Sequence, residues 1–264
     1  MNINQQDVPL VSIIMPAHNV SQFIKASINS VISQSFQNWE LLVVDDCSTD
    51  DTIDCILPYL TDNRIKLIRN SKNLGGAGSR NVAISEAKGR YIAFLDSDDL
   101  WTPDKLEHQI NFMQENNIGF SFTSHTTMDE QGSLLEQIAV PEKVNFKSLL
   151  KHNYIGCLTA IYDTEPYGKI YMPLVKKRQD FALWLELLKQ FDYAYSLNKN
   201  LGFYRIRAGS LSRSKSDAFK FYWRVLRDVG NCNHVTASYN LFCYLSIVYL
   251  KKKHTNFYNK YIIG

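Results

Sequence analysis

Asp96, Asp98 and Asp99 crowd into four positions directly after Tyr91-Ile92-Ala93-Phe94-Leu95, a run with the makings of a buried strand. Carboxylates that close repel one another and resist leaving water unless a cation or a set of hydrogen-bond donors meets them. In an extended chain alternate side chains share a face, so Asp96 and Asp98 point the same way and can share one ligand assembly, with Ser97 between them. Hard oxygen donors suit Mn2+ or Mg2+, and a site with few protein carboxylates completes its shell with phosphate oxygens and water. The plainer alternative is an acidic loop that caps the next helix. That helix starts near Thr102-Pro103-Asp104-Lys105, where Thr102 reads as the cap and Pro103 as the first helical residue.

A second acidic pair, Asp45-Asp46, follows the apolar run WELLVV at 39–44. Asp50 and Asp51 suit the positive end of the helix after it, whereas Asp46, at the strand end, is placed to accept from a base imide or a ribose hydroxyl. The stretch NLGGAGSRN at 73–81 is Gly-rich but fits neither G-x-x-x-x-G-K-[ST] nor a G-x-G-x-x-G after the first strand. Its glycines permit a tight turn into a helix, and Arg80 is either a surface charge or a nucleotide contact. In Lys176-Lys177-Arg178-Gln179-Asp180, the last residue is either a helix N-cap or, beside several cations, an ionised carboxylate able to act as a base.

These groups need a frame. Apolar runs at 10–15, 39–44, 64–68 and 91–95 read as buried strands, with helical spacing at Ile24, Ile28 and Val31, at Ile53, Ile56, Leu57 and Leu60, and over 77–88. Strands alternating with helices imply right-handed crossovers and an α/β fold with a mostly parallel sheet, whose ligands sit at the carboxyl ends of the strands. Pro16-Ala17-His18-Asn19, Asp45-Asp46 and Asp96-Ser97-Asp98 fall there. Beyond 117 the rhythm changes to strands at 118–124, 133–140, 157–162, 193–197 and 201–205 and a strong helix at 179–191, then two helices in the last 50 residues, the second apolar and Tyr-rich.

With 264 residues, 45% hydrophobic and 21% charged, the chain is long enough for a sizeable core, and a net charge of +3 without a basic stripe argues against nucleic acid. Five cysteines without C-x-x-C spacing indicate neither a disulfide framework nor a zinc site and fit a reduced, cytoplasmic setting. The start MNINQQDVPL lacks a signal-peptide pattern, and no run reaches the roughly 18 apolar residues of a membrane span.

Taken together, VSIIMPAHN, ELLVVDDCSTDDT, NLGGAGSRNVAISEAKGRYIAFLDSDD, RQDFALWLELL and YRIRAGSLS, in this order and spacing, resemble the family 2 glycosyltransferases, which have the GT-A fold. The likeness is close over 8–116, weaker to about 212 and absent after that. It implies a GT-A domain over 1–212, with a nucleotide-binding part at 8–116 and an acceptor side at 117–212, followed by a helical extension at 213–264. It also implies a metal-dependent transfer of one sugar from a UDP-sugar, UDP-glucose or UDP-galactose, with inversion. Pro16 and His18 would border the uracil, Asp46 would hydrogen-bond it and Asp96 would hold the ribose, with Ala17, Asn19, Asp45, Arg80 and Ser97 among the further nucleotide-sugar contacts. Asp98 would ligate Mn2+ or Mg2+, and Asp180 would be the base. Arg178, Gln179, Arg205 and Arg207 are candidate diphosphate or acceptor contacts. Three residues depart from the family pattern: His18 for Tyr, Gln179 for Glu, and Arg207 for His.

The implied acceptor is a lipid-diphosphate-linked saccharide of a bacterial O-antigen or capsule, reached from the cytoplasmic face of the inner membrane. Residues 235–250 with Lys251-Lys252-Lys253 either lie in the membrane interface or form a core helix with a solvated tail. Two rivals remain: a nucleotide-sugar-binding module without transfer activity, which has no need of a base at Asp180, and a sugar nucleotidyltransferase, which calls for a Gly-rich, Arg-containing loop where this chain has PAHN.

Overall fold

Strand β1 (Val11–Ala17) is flanked on one side by β2 (Trp39–Asp45) and β3 (Ile65–Arg69) and on the other by β4 (Tyr91–Phe94), all parallel. In the computed structural model, which describes residues 9–207 and 215–263, these strands carry the near-continuous apolar runs expected of a sheet covered on both faces. Alternate residues feed two cores. Ile14, Leu42, Val44, Ile92 and Phe94 lie in one, while Val11, Ile13, Met15, Leu41, Val43 and Ala93 lie in the other.

Helix α1 (Ile24–Ile32) buries Ile24, Ile28 and Val31 in the second core. The following short helix α2 (Thr52–Ile56) gives way at Leu57 to a tighter turn containing Pro58, so the predicted continuation to Leu60 is not α-helical. Helix α3 (Gly75–Glu86) covers the first core. After β4 come β5 (Leu100–Trp101) and α4 (Lys105–Glu115).

Thr102 does not cap α4, contrary to the sequence expectation. Its hydroxyl donates to Asp104 at 2.6 Å, and the Leu106 N–H of the first turn is met at 2.9 Å by Oε1 of Gln34, which lies just past the end of α1. A side chain 72 residues away thus supplies the acceptor that a local reading gives to Thr102.

The sheet continues through β6 (Phe120–Met128), with β7 (Leu134–Ile138) and β8 (Lys143–Val144) at its margins, then the short helix α5 (Phe146–Leu149) and β9 (Ile161–Asp163). Residues 157–162 are not one strand; Cys157–Thr159 form a tight turn before β9. After α6 (Gln179–Leu187) the chain enters β10 (Ala194–Arg205), a single strand where the sequence suggests two, because the polar residues 198–200 ride over an irregularity in its pairing with β6. Strand order is β3-β2-β1-β4-β9-β6-β10-β5, with β9 antiparallel between β4 and β6, and β10 parallel to β6.

Helices α7 (Lys215–Asp228) and α8 (His234–Lys253) follow, then the short α9 (Thr255–Tyr258) and a wider helical turn over Asn259–Ile263. Tyr222, Val225, Leu226, Val229 and Ala237 join the same core as Phe181 and Trp184 of α6. Phe181 and Tyr222 stack at 5.0 Å with ring planes 6° apart, and the buried Tyr222 hydroxyl donates to Leu150 O at 2.8 Å. Among the described residues no helix is long and apolar enough to cross a membrane. All five cysteines are free.

Candidate active site

The parallel register brings three loops to one edge. Ala17 lies opposite Asp45, Asp46 N donates to Ala17 O at 2.8 Å, and Leu95 N donates to Ile14 O at 3.1 Å. The loops after β1 and β2 are further joined by side chains: Asn19, in the left-handed region at φ 51°, accepts from Thr49 N at 2.8 Å, and Asp50 accepts from Ser21 N and Thr52 N, both at 3.1 Å. Burial works against the Asp50 charge, but the Thr52 hydroxyl and the donors of Ser21 outweigh it and hold the carboxyl down to about 2. An open cavity of about 430 Å3 lies against this junction, lined among others by His18, Asn19, Phe23, Asp50, Glu130 and Arg207. Pro16 and the buried Ala17 form the strand end beneath it, and His18 and Asn19 are exposed.

Asp45 is buried and turned toward Ser48 N at 3.3 Å. Asp46 meets the start of α3: Oδ1 accepts from Leu74 N at 2.7 Å and Asn70 Nδ2 at 2.8 Å, and Oδ2 from Gly75 N at 2.8 Å. Burial opposes its ionisation, yet those donors hold its pKa below the usual value. Where the sequence assigns this carboxylate to a base imide or ribose hydroxyl, three protein donors surround it. They also explain a helix whose own N-cap residue, Leu74, has no capping side chain. Gly75 turns the chain at φ +72°. At Gly76 a Cβ would stand 3.0 Å from the Arg80 guanidinium and 3.1 Å from Gln179 Oε1, so the missing side chain lets α3 and α6 approach.

The acids after β4 meet three arginines. Arg80, 11% exposed, reaches Asp96; Arg207 Nε pairs with Asp98 Oδ2 at 2.7 Å; Arg205 N donates to Asp99 Oδ1 at 2.8 Å and Arg205 Nε to Asp98 O at 2.8 Å. Both Arg205 and Arg207 lie over the Phe23 ring, at 5.0 and 5.4 Å. Burial, then the neighbouring Asp96 charge, raises the Asp98 pKa, and burial together with Asp98 and Asp96 raises that of Asp99 well above the usual range. Asp99 Oδ2 is buried with no partner, and Ser97 is buried between the acids.

Hard carboxylate oxygens at Asp96 and Asp98, beside the unpartnered buried Asp99 Oδ2, fit a divalent cation that brings other ligands with it. Among the described residues no group of three or more His, Cys, Asp and Glu side chains could hold a metal unaided.

Asp180 is the second residue of α6 and not its N-cap. That position belongs to Arg178, in the left-handed region at φ 60° and without a capping side-chain bond. Asp180 Oδ2 accepts from Asn153 Nδ2 at 3.3 Å. Burial raises its pKa against the pull of Phe181 N–H, Arg80 and Arg178, and the charge on Asp96 raises it further. Burial likewise weighs against the charge of Arg80, but the attraction of Asp96, Cys157 and Asp180 outweighs it and raises the guanidinium pKa. Arg80 therefore pairs with the β4 loop while the start of α6 lies in its field. Arg178 turns the other way: its Nη2 donates to Tyr244 Oη of α8 at 3.0 Å, and its guanidinium lies 5.0 Å from the Tyr222 ring.

The sequence reading passes over Asn153, Cys157, Phe23 and Tyr244. None lies within a recognisable motif, and each reaches the site through a tertiary contact. Of the motif at 204–212, residues 208–212 lie outside the described residues, as do residues 1–8 of the N-terminus.

The chain is similar to known proteins in both sequence and fold. The family model Glycosyl transferase family 2 matches residues 12–167. A putative teichuronic acid biosynthesis glycosyltransferase, TuaG, of Bacillus subtilis is 43% identical over 233 residues, which cover 88% of this chain and 92% of that one. The UDP-Glc:alpha-D-GlcNAc-diphosphoundecaprenol beta-1,3-glucosyltransferase WfgD of Escherichia coli is 43% identical over 223 residues, covering 83% and 86%. In fold, the crystal structure of S. aureus TarS 1–349 in complex with UDP-GlcNAc is similar at TM-score 0.70 and 22% identity, covering 96% of this chain and 76% of that one.

Proposed function

The chain belongs to glycosyl transferase family 2, and from that premise we propose that it moves one hexose, from UDP-glucose or UDP-galactose, with inversion onto a hydroxyl of a lipid-diphosphate-linked saccharide. The relatives support this acceptor class: WfgD bears the name of a diphosphoundecaprenol-directed glucosyltransferase and TuaG that of a teichuronic acid enzyme. The product is a growing surface polysaccharide such as an O-antigen or capsule, made at the cytoplasmic face of the membrane where the lipid-linked acceptor is held.

In this reading the uridine lies across the loops at Pro16-Ala17-His18-Asn19 and Asp45-Asp46, with Arg80, Asp96 and Ser97 beside the ribose and diphosphate. Asp96 and Asp98 would hold Mn2+ or Mg2+, whose chemistry is Lewis-acid stabilisation of the departing diphosphate. Asp180 takes the proton from the acceptor hydroxyl as that oxygen attacks the anomeric carbon opposite the UDP, and a single displacement inverts the configuration. A raised carboxyl pKa makes Asp180 a better proton acceptor than an exposed aspartate. Arg205 and Arg207 set positive charge beside the Asp98-Asp99 loop on the donor side. Gln179, beside Asp180, borders the acceptor, while Arg178 is engaged with Tyr244 and Tyr222 on the far side of the α6 start.

One observation carries the proposal: Asp180 is half-buried, raised in pKa, and shares Arg80 with Asp96. A pure nucleotide-sugar binder has no use for a desolvated carboxylate there. The test is UDP release from a panel of UDP-sugars, with and without a lipid-diphosphate acceptor, in the native chain and in Asp180→Asn. Acceptor-dependent release that falls by about 100-fold or more in the variant is expected. Undiminished transfer by Asp180→Asn rejects the assigned base.

A further inference from the structure

Helix α8 has an unusual division of faces. Ala237, Asn240 and Ile247 are buried, and Leu241 and Tyr244 pack against the core of the catalytic domain. The opposite side should be polar in a helix lying on a water-exposed surface. Instead Val235 (78% exposed), Tyr239 (58%), Phe242 (68%) and Tyr249 (59%) form one stripe at helical spacing. Lys253, exposed, continues the same stripe, next to exposed Lys252.

We propose that this outward face of α8 seats on an anionic lipid bilayer. The charge pattern selects that occupant. After Asp228 the chain contains no Asp or Glu, while Lys251, Lys252 and Lys253 end α8. Pairing of this face with itself in a second copy would oppose lysines to aromatic or lysine side chains with no acid from this segment to meet them. Anionic headgroups meet the exposed Lys252 and Lys253, and Tyr and Phe suit the headgroup boundary. The helix lies on the surface and does not span it, consistent with its lack of a crossing stretch among the described residues.

The inward face gives the docking a consequence. Tyr244 Oη accepts from Arg178 at 3.0 Å, and the Tyr244 ring stacks on Tyr222 at 4.3 Å. Arg178 stands two positions before Asp180. One helix therefore meets the lipid on one side and holds the start of α6 on the other. Relevance to an acceptor anchored in the same bilayer rests on the transfer reading above; the seating itself does not.

The test uses the full chain with vesicles of phosphatidylglycerol and phosphatidylcholine, against vesicles of phosphatidylcholine alone. The native chain should sediment with the anionic vesicles and release with salt. The triple variant Tyr239→Ser, Phe242→Ser, Tyr249→Ser should lose at least about tenfold in vesicle partition while keeping its circular dichroism spectrum and its turnover of a water-soluble, short-chain diphosphate acceptor. The double variant Lys252→Gln, Lys253→Gln should lose the preference for anionic vesicles. Native-like partition by the triple variant overturns the proposal. So does a native dimer that the triple variant dissociates without any vesicle binding in either protein. Absence of sugar transfer by the native chain counts against the enzymatic reading alone, because sedimentation reads the seating independently.

Discussion

Arg80 closes on the carboxylate of Asp96 while also lying in the field of Asp180, so a single guanidinium on α3 links the β4 loop electrostatically to the start of α6. The contact is largely shielded from water, with 11% of the Arg80 side chain and 27% of the Asp96 side chain exposed. Removing one partner of such a pair leaves the other uncompensated, at a cost of about 3 kcal/mol.

Arg80→Ala is therefore expected to be both less stable and less active, with the two effects separable by pH. Asp180 must be ionised to act as a base, and its pKa is already raised by burial. Activity accordingly falls as pH drops through that raised value. Arg80 pulls the pKa down, so its loss moves the acid limb of the kcat/KM profile to higher pH. An acid limb that stays in place in a folded Arg80→Ala protein removes Arg80 from the environment of the base.

Arg207 and a divalent cation would draw on the same carboxylate. With Arg207 Nε 2.7 Å from Asp98 Oδ2, cation binding at Asp98 works against an existing ion pair. Chelation by EDTA is expected to abolish transfer, and added Mn2+ or Mg2+ to restore it. In Arg207→Gln the concentration of Mn2+ giving half-maximal activity should fall, while kcat falls too because the charge beside the loop is lost. Metal titrations of the two proteins check this. A higher metal requirement in Arg207→Gln contradicts the competition.

How much of this was legible in the residues differs between strand ends and partners. The apolar runs before Ala17, Asp45 and Asp96 mark buried parallel strands, and parallel strands deliver their carboxyl ends to one edge, so that loop cluster follows from local pattern. The arginines that meet the acids do not. Arg205 and Arg207 come from β10 and the residues just after it, more than 100 positions from Asp98 and Asp99, across a sheet order that no local signal dictates. Gln34 on the first turn of α4 and Asp46 on the start of α3 are likewise caps supplied from elsewhere in the chain. In α8, apolar residues occupy both sides, which erases the helical period and with it any sequence-based indication of which face is buried.

Lys105 offers a test of stability away from the site. Its side chain is fully buried, with Nζ donating to Gln109 Oε1 at 2.6 Å and lying 4.4 Å from the centre of the Trp101 ring. Burial lowers its pKa to about 7. Between about 7 and the usual lysine value near 10.4 the folded chain holds fewer protons than the unfolded one. Stability contributed through this group therefore rises with pH across that window and is flat below it. Lys105→Met is expected to raise stability at neutral pH by about 1 kcal/mol or more and to flatten the slope. Urea denaturation of both proteins at a series of pH values reads both effects.

The C-terminal helices are expected to be indispensable to the fold, not an appendage to it. Tyr222 stacks on Phe181 of α6, the turn of helix that also carries Asp180, and its hydroxyl is bound to Leu150 O in the interior. Deleting residues 213–264 would uncover Phe181 and the part of the first core contributed by Val225, Leu226, Val229 and Ala237. At roughly 1.5–3 kcal/mol for each large apolar side chain returned to water, the loss exceeds the typical stability of a whole domain once Tyr222 and its neighbours are counted. The truncated chain should fail to fold. Tyr222→Ala, a milder version of the same loss, should cost about 3–5 kcal/mol, and Tyr222→Phe, which strands only the Leu150 carbonyl, about 1 kcal/mol. Because Phe181 follows Asp180 directly, Tyr222→Ala should also lower kcat beyond what the unfolded fraction explains. A cooperatively folded, active 1–212 fragment would show instead that α7 and α8 are dispensable to both.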